Sequence, residues 1–288
     1  ADIDTPKFFK PMLAKQYADD FPGFGGTTFS IISQPKLDGV RCIATQDGLW
    51  SRQGKPFNGV PHIASNLKPF FDRFPDAILD GELYADKLDD NFNKIISLVK
   101  KKTPTPAGLK QAAEFISYHV YDFPSEDGTF DARYAKLEEY AILDYDCIRL
   151  VPTTEVEDQE ELDMLMENYV LAGYEGQIVR VANLPYENKR SKQLLKRKDF
   201  MDEEFKVVAI SEGQGNRAGM AGFVTYELPD GREFGSGIKG SHDYCKTLLK
   251  EADKYIGGQG TVKFQNYTPD GVPRFPVTIA LYEGERDI

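Results

Sequence analysis

The sequence predicts an α+β arrangement up to about Met201 followed by a small β-barrel, and three observations carry that prediction. Short β-rich runs alternate with segments of helical periodicity through the first part of the chain. After Phe200-Met201-Asp202 the texture changes to strands joined by Gly-rich turns. Within this second part the order is three strands, a helix and two strands.

In the first part, strands are predicted at Thr28–Gln34, Arg41–Thr45, Ala77–Tyr84, Phe115–Tyr121 and Gln177–Val181, all rich in β-branched and aromatic residues. Helices are predicted at Ile63–Phe74, Asp131–Leu143 and Asp158–Leu171. In the last of these Leu162, Leu165, Met166 and Tyr169 fall at helical spacing. The seven acidic residues between Glu155 and Glu167, with no basic one among them, mark its other face as solvated. Lys100 to Gly108, with Pro104 and Pro106, reads as an exposed loop. In the second part Phe205–Ile210, Gly222–Leu228 and Arg232–Ile238 are strands, His242–Tyr255 is a helix, and Thr261–Tyr267 and Val277–Tyr282 close the set. That order matches a small OB barrel, a nucleic-acid-binding architecture. The domain boundary follows at 1–201 and 202–288.

A chain of 288 residues has room for two ordinary domains, and 41% hydrophobic with 28% charged residues is a soluble, core-forming composition. No apolar run reaches transmembrane length, and Ala1 to Lys10 lack a signal-peptide core, although a segment removed before Ala1 would leave no trace in this sequence; a cytoplasmic location without membrane contact is expected. Cys42, Cys147 and Cys245 are far apart and odd in number, which favours buried thiols in a reducing compartment over disulfides. His62, His119 and His242 are equally scattered, which argues against zinc. The net charge of −11 opposes nucleic-acid binding if it is spread evenly. It is not even: from Glu187 to Lys198, Lys189, Arg190, Lys192, Lys196, Arg197 and Lys198 face a single acid. Leu194 to Lys198 alternates like a strand, so Lys196 and Lys198 share one side. An acidic protein with a basic cleft is expected.

The chemistry-bearing segments are each ambiguous alone. Lys36-Leu37-Asp38-Gly39-Val40-Arg41 offers a nucleophilic lysine, a tight turn and an anion-holding arginine, but Asp-Gly is also an ordinary turn signal. Ser51-Arg52-Gln53-Gly54-Lys55 supplies a second arginine or a polar hairpin turn. Leu79-Asp80-Gly81-Glu82-Leu83 carries two carboxylates suited to ribose or a divalent cation, or to a strand end. His119-Val120-Tyr121-Asp122-Phe123 ends a strand on an aromatic, a core residue or a stacking platform. Tyr174-Glu175-Gly176-Gln177-Ile178-Val179-Arg180 places a glutamate ahead of a buried strand, a turn residue or a metal ligand.

Taken in order, KLDGVR, SRQGK, LDGEL, HVYDFP, EGQIVR and LLKRK with an OB-like tail closely resemble the covalent nucleotidyltransferases, and within them the ATP-dependent DNA ligases. The resemblance runs from Gln34 to the end and is closest to the minimal, phage-like or bacterial accessory form. It implies an ATP-grasp-like nucleotidyltransferase domain of antiparallel sheets with helices, followed by an OB-fold β-barrel, with a hinge near Lys198–Glu203. Lys36 is then the residue that takes AMP from ATP, with Asp38 and Arg41 beside it and Arg41 near the ribose and the nick. Arg52 matches a phosphate contact, Glu82 the ribose or metal carboxylate, and Tyr121 the adenine stack. Glu175 matches the metal-linked glutamate, and Lys196 and Lys198 match paired lysines at the α-phosphate. Gln34 stands where a carbonyl accepts from the adenine amino group. Mg²⁺ or Mn²⁺ at Glu82 and Glu175, nicked duplex DNA as partner, and action as a monomer are also implied. The same scaffold serves RNA ligases and GTP-using capping enzymes, and a non-catalytic OB-type binding protein is the rival from another class.

Two further expectations come with this. A lysine at its ordinary pKa of about 10.4 is a poor nucleophile, so crowding by Arg41, Lys196 and Lys198 is expected to disfavour its ammonium form. The family's final motif places an arginine after an Arg-x-Pro segment. Here Arg274-Phe275-Pro276 is present but Tyr282 holds the arginine's place, which either makes the ATP step less efficient or shifts the role to Arg286 or Lys239.

Overall fold

Strands far apart in sequence pair to make two five-stranded sheets in the first part of the chain, and the second part closes into a barrel. The structure, a computed structural model, describes residues 8–25, 30–85, 91–140, 146–198, 200–264, 267–274 and 276–287. It divides into two compact units, Ala1–Lys198 and Asp199–Asp287.

Along the first unit run β1 (Leu13–Gln16), α1 (Tyr17–Asp20), β2 (Ile31–Lys36), β3 (Val40–Thr45), β4 (Gly48–Trp50), α2 (Pro61–Arg73) and β5 (Leu79–Tyr84). Then come α3 (Asn91–Val99), α4 (Pro106–Phe115), β6 (Ser117–Asp122), α5 (Phe130–Glu139), β7 (Ile148–Leu150), β8 (Thr154–Val156), α6 (Gln159–Leu171), β9 (Gly176–Val181) and β10 (Arg190–Lys198). One sheet has the order β1-β10-β9-β2-β8, the other β4-β3-β5-β6-β7. Pairing is antiparallel except between β1 and β10 and between β6 and β7.

Alternation decides which side of the first sheet each residue serves. Ile31, Val179, Val181 and Leu195 pack with Leu162 of α6 in one apolar cluster. Gln177 bonds Ser33 and the Leu162 carbonyl on that same side, at 2.8 and 3.0 Å. Arg197 also points there, pairing with Asp163 of α6 at 2.6 Å and lying over the Tyr17 ring. The α6 helix begins where its cap dictates, with the Asp158 carboxylate accepting from Glu161 N at 2.8 Å. The side chains of Lys36, Gln34, Arg180, Lys196 and Lys198 are left to the opposite face.

Several predicted elements differ. Part of the first predicted strand, Thr28 and Phe29, and the end of the predicted Asp131–Leu143 helix lie outside the described residues. The segment read as a loop from Lys100 to Gly108 already contains the start of α4, because Pro106 occupies the first helical position and the Thr105 hydroxyl accepts from Gly108 N at 3.1 Å. α3 went unpredicted since Ile95, Ile96 and Val99 are strand-like by composition. β10 is longer than its apolar core suggests, because Arg190 and Lys192 are exposed on an otherwise buried strand.

The second unit comprises β11 (Met201–Glu212), β12 (Ala221–Glu227), β13 (Glu233–Ile238), α7 (His242–Lys250), β14 (Gln259–Phe264) and β15 (Val277–Leu281). These strands close in the order β11-β12-β13-β15-β14, with β13 and β15 parallel. This is the predicted OB order of three strands, a helix and two strands. Phe205, Val207, Val224, Tyr226, Phe234, Val262 and Phe264 fill its core with Cys245 and Leu248 of α7.

Candidate active site

Strand register assembles the site on the first sheet. Lys36 of β2 and Lys198 of β10 both stand opposite Gly176 of β9, one from each side. Glu175, the residue before Gly176, is held by a backbone bond from its N–H to the Lys36 carbonyl at 3.1 Å. Its carboxylate then takes Lys36 Nζ at 2.8 Å and Lys198 Nζ at 2.9 Å. A β-carbon on Gly176 would collide with the Arg197 carbonyl, so glycine is what allows the two lysine-bearing strands to close around it. One row further along, Gln34 and Lys196 both stand opposite Ile178. Lys198 is therefore the lysine that meets Lys36 across Glu175, and Lys196 lies a row away.

The second sheet supplies the carboxylates and the aromatic. Glu82 of β5 stands opposite Arg41 of β3. Pairing of β5 with β6 shifts register beside Asp80, so that Tyr121 is an extra, unpaired residue in a β-bulge. The bulge lets two consecutive side chains work on one side. Tyr121 Oη donates to Glu82 Oε1 at 3.4 Å, while Asp122 receives Arg180 Nη1 from the first sheet at 2.7 Å. Gly39 in the turn after Lys36 does not take a left-handed conformation. It is required instead because a β-carbon there would strike the Leu83 carbonyl and come within 2.8 Å of Glu82 Cγ.

Beneath these groups lies a buried polar network. Asp122 is shared by Arg180 and by Arg133 of α5, the latter at 2.8 and 3.2 Å. Arg133 also donates to the Gly128 and Leu184 carbonyls. Two guanidinium groups, those of Arg41 and Arg180, lie over the Tyr121 ring at 5.3 and 5.6 Å from its centroid. Such a network is stable in low dielectric because every member is satisfied.

Two of the predicted nucleotide contacts also have protein partners. Gln34 Oε1 accepts from Arg180 Nε at 3.0 Å, its amide donates to Thr153 Oγ1 at 3.0 Å, and the residue is 1% exposed. Arg41 is not a loose cation beside Lys36. Asp80 takes it through two bonds of 2.6 and 2.7 Å, and the Met12 carbonyl takes Nη2 at 2.7 Å. Asp80 is in turn fixed by Tyr186 Oη at 2.8 Å. The cation-crowding picture changes with it, since a carboxylate stands between Lys36 and Lys198.

Electrostatics set the two glutamates apart. Burial works against ionisation of Glu175, but the Lys36 and Lys198 ammoniums hold its carboxyl well below the usual carboxylate range. Glu82 goes the other way: burial pushes it up to about 7, with Glu175 and Asp38 adding to the rise and Lys36 and Arg41 opposing it. Asp38 is thus electrostatically close to Glu82, and Arg52 lies half-buried in the turn after β4, which Ser51 braces by accepting from Lys55 N at 3.1 Å. Among the described residues no group of three His, Cys, Asp or Glu is gathered as a metal cage. Two carboxylates without a cage fit a cation of the Mg²⁺ kind, which is held by one or two carboxylates together with substrate phosphates.

The first unit matches the family model of the ATP dependent DNA ligase domain over residues 11–198, and residues 212–281 match that of the DNA ligase OB-like domain. The chain belongs to the ATP-dependent DNA ligases. The DNA ligase of Haemophilus influenzae is 29% identical over 247 residues, covering 85% of this chain and 84% of that one. That of African swine fever virus is 30% identical over 240 residues, 78% of this chain and 55% of the viral protein. This ligase therefore spans about half the length of that relative. Among solved structures, a Lig E DNA ligase described as binding DNA with a minimal scaffold aligns over 96% of this chain and 100% of its own, with 25% identity and a TM-score of 0.56.

In this ligase the residues that sequence reasoning passed over are Asp122, Arg133 and Arg180, which anchor the predicted ones together with Asp80, read from the sequence as a ribose or cation carboxylate and found bonded to Arg41. Asp80, Asp122 and Arg180 lie inside the quoted motifs, and alternation from Gln34 along paired strands was the available signal for Arg180. Arg133 had none. In the second unit Tyr282 is buried and bonds Thr261 Oγ1 at 2.9 Å, while Arg286 pairs with Glu204 at 2.7 Å. Tyr282 is thus a core residue of the barrel. Phe275 lies outside the described residues.

Proposed function

We propose that this ligase seals nicks in duplex DNA, taking AMP from ATP onto Lys36 and passing it to the 5′-phosphate of the break. The observation that carries this reading is the single row in which Lys36 and Lys198 flank Gly176 with Glu175 between them. In the first step the Lys36 amine, having lost its proton to solvent, attacks the α-phosphorus. The P–N bond forms as the bond to pyrophosphate breaks. In the second step a 5′-phosphate oxygen displaces the lysine, which recovers its proton. In the third the 3′-hydroxyl, losing its proton to solvent, attacks the phosphorus of the adenylylated 5′-phosphate, the phosphodiester forms, and AMP leaves.

Positioning and charge do most of this work. Lys198, with Lys196 a row away, stabilises charge on the α-phosphate oxygens. Tyr121, fixed by its bulge and by the guanidiniums over it, offers a face to the adenine. Arg41 and Gln34 act through what they hold: Arg41 fixes Asp80 beside Glu82, and Gln34 fixes Arg180 beneath Tyr121. Asp38 and Arg52 complete the nucleotide's surroundings. A divalent cation, Mg²⁺ or Mn²⁺, fits Glu82 and Glu175 together with the phosphates and would neutralise part of their charge. We take residues 1–201 as the nucleotidyltransferase domain and 202–288 as the OB domain, acting as a monomer on nicked duplex in the cytoplasm of a bacterium or an infected cell. No helix among the described residues is long and apolar enough to cross a membrane.

Incubation with labelled ATP or GTP, followed by denaturing electrophoresis and a nick-sealing assay, tests this. Label from ATP alone and sealing of a DNA nick are expected. Label from GTP points to a capping-type enzyme, sealing of RNA alone to an RNA ligase, and no label to a non-catalytic protein. Lys36→Ala should take no label yet still seal a nick that is already adenylylated, more slowly. Wild-type labelling of Lys36→Ala removes the nucleophile from that position.

A further inference from the structure

We infer that the tip of the α3–α4 hairpin, Lys100, Lys101 and Lys102, is a second contact surface for the phosphate backbone of duplex DNA. This rests on the reading that the protein acts on DNA. Charge distribution is the first support. Between Asp90 and Glu114 the sequence has five lysines, Lys94, Lys100, Lys101, Lys102 and Lys110, and no acidic residue, in a chain that carries 46 acids and a net charge of −11. All five are exposed. A run of this length without a carboxylate lets the lysine charges add rather than cancel.

The second support is how the tip is mounted. Ile95, Leu98 and Val99 of α3 are buried, as are Ala112 of α4 and Ile116 just after it. The turn before α2 approaches so closely that a β-carbon on Gly59 would strike the Leu98 carbonyl. At the far end the His62 ring bonds the Ile116 carbonyl at 2.8 Å. Helical hydrogen bonding on each side and these buried anchors tie both ends of the lysine-bearing connection to the fold. The occupant follows from the residue type. Lysines on long stems present point charges without the planar fork that reads bases or carboxylates in pairs, which suits an enzyme that must hold any sequence by its phosphates.

The test compares wild type with Lys100→Ala/Lys101→Ala/Lys102→Ala, both already self-adenylylated, for binding to a nicked duplex from about 50 to 300 mM KCl. Each lost phosphate contact lowers the slope of log K against log[salt] by about 0.9. The variant should therefore show a slope flatter by about two to three and at least tenfold weaker binding at the low-salt end, the two proteins converging as salt rises. Self-adenylylation, which needs no DNA, should be unchanged. Lys101→Glu/Lys102→Glu should weaken binding at least as far. Superimposable salt dependences overturn the inference and turn attention to an acidic protein surface as the occupant, and a loss of binding that persists undiminished at high salt also overturns it. Failure of the wild type itself to take AMP or to seal would instead overturn the proposed function.

Discussion

Glu82 shows what a single buried carboxyl costs the fold that carries it. Its folded-state value of about 7 lies above the ordinary 4.5. Between those values the native state keeps a proton that the unfolded chain releases, so stability falls as pH rises through that window. The penalty is complete above pH 7 and amounts to about 3 kcal/mol at most. Glu82→Gln removes the titration. Relative to wild type, its melting temperature should rise by several degrees at about pH 8 and show no such gain at about pH 5, while adenylylation falls. An equal shift at both pH values would mean that Glu82 is not protonated in the neutral range. Glu175 has the opposite sign: held ionised by Lys36 and Lys198, it contributes stability above its unfolded value that is lost as pH falls into the acid range.

At the scale of elements, β9 organises the site, and its first residue is the critical one. Gly176→Ala pushes a methyl into the Arg197 carbonyl and must part β9 from β10. Lys198 then leaves Glu175 and Lys36. We expect a loss of about 1–3 kcal/mol in stability, the usual cost of overpacking, and at least a tenfold fall in self-adenylylation. A variant that keeps wild-type labelling would show that the row is not what positions the lysines. The sequence motifs identified the members of this row, because Lys36, Glu175 and the alternating Lys196 and Lys198 carry their chemistry on their faces. What they did not disclose is that Gly176 joins them, since register is a property of pairs of strands and not of one. The Tyr121 bulge was hidden for the same reason, and with it the partners of Gln34 and Arg41. The sequence assigns Gln34 to the adenine and Arg41 to the ribose and the nick, but not the protein partners each also takes, because a polar group inside the fold must be satisfied there. The order of the barrel's elements was legible from alternation and glycine-rich turns, although β11 (Met201–Glu212) is twice the length of its predicted Phe205–Ile210 and α7 ends at Lys250 rather than Tyr255. By contrast, α3 and α4 disappeared behind β-branched residues and a helix-starting proline.

For the whole molecule the question is how a chain of net charge −11 holds a polyanion. The basic run from Lys189 to Lys198 divides among four roles. Lys196 and Lys198 face the site, Arg197 crosses to Asp163 on the outer side, and Arg190 is spent on the Ala14 carbonyl at 2.6 Å. That leaves Lys189 and Lys192, both about 70% exposed, with Glu187 at 3.1 Å and Asp20 at 3.6 Å beside them. Exposed pairs of this kind are weak, so both lysines remain able to trade their partners for phosphates, though the nearby acids keep the gain small. Lys189→Ala/Lys192→Ala should therefore flatten the salt dependence of nick binding by about one to two units, at the lower end of that range. Transfer of AMP to Lys36 should proceed as in wild type, because neither lysine belongs to the Lys36 row. Binding to a nicked duplex over a salt series, measured beside self-adenylylation, decides the matter. A slope equal to that of wild type would make this surface an ordinary solvated strand edge and leave contact with DNA to other parts of the molecule.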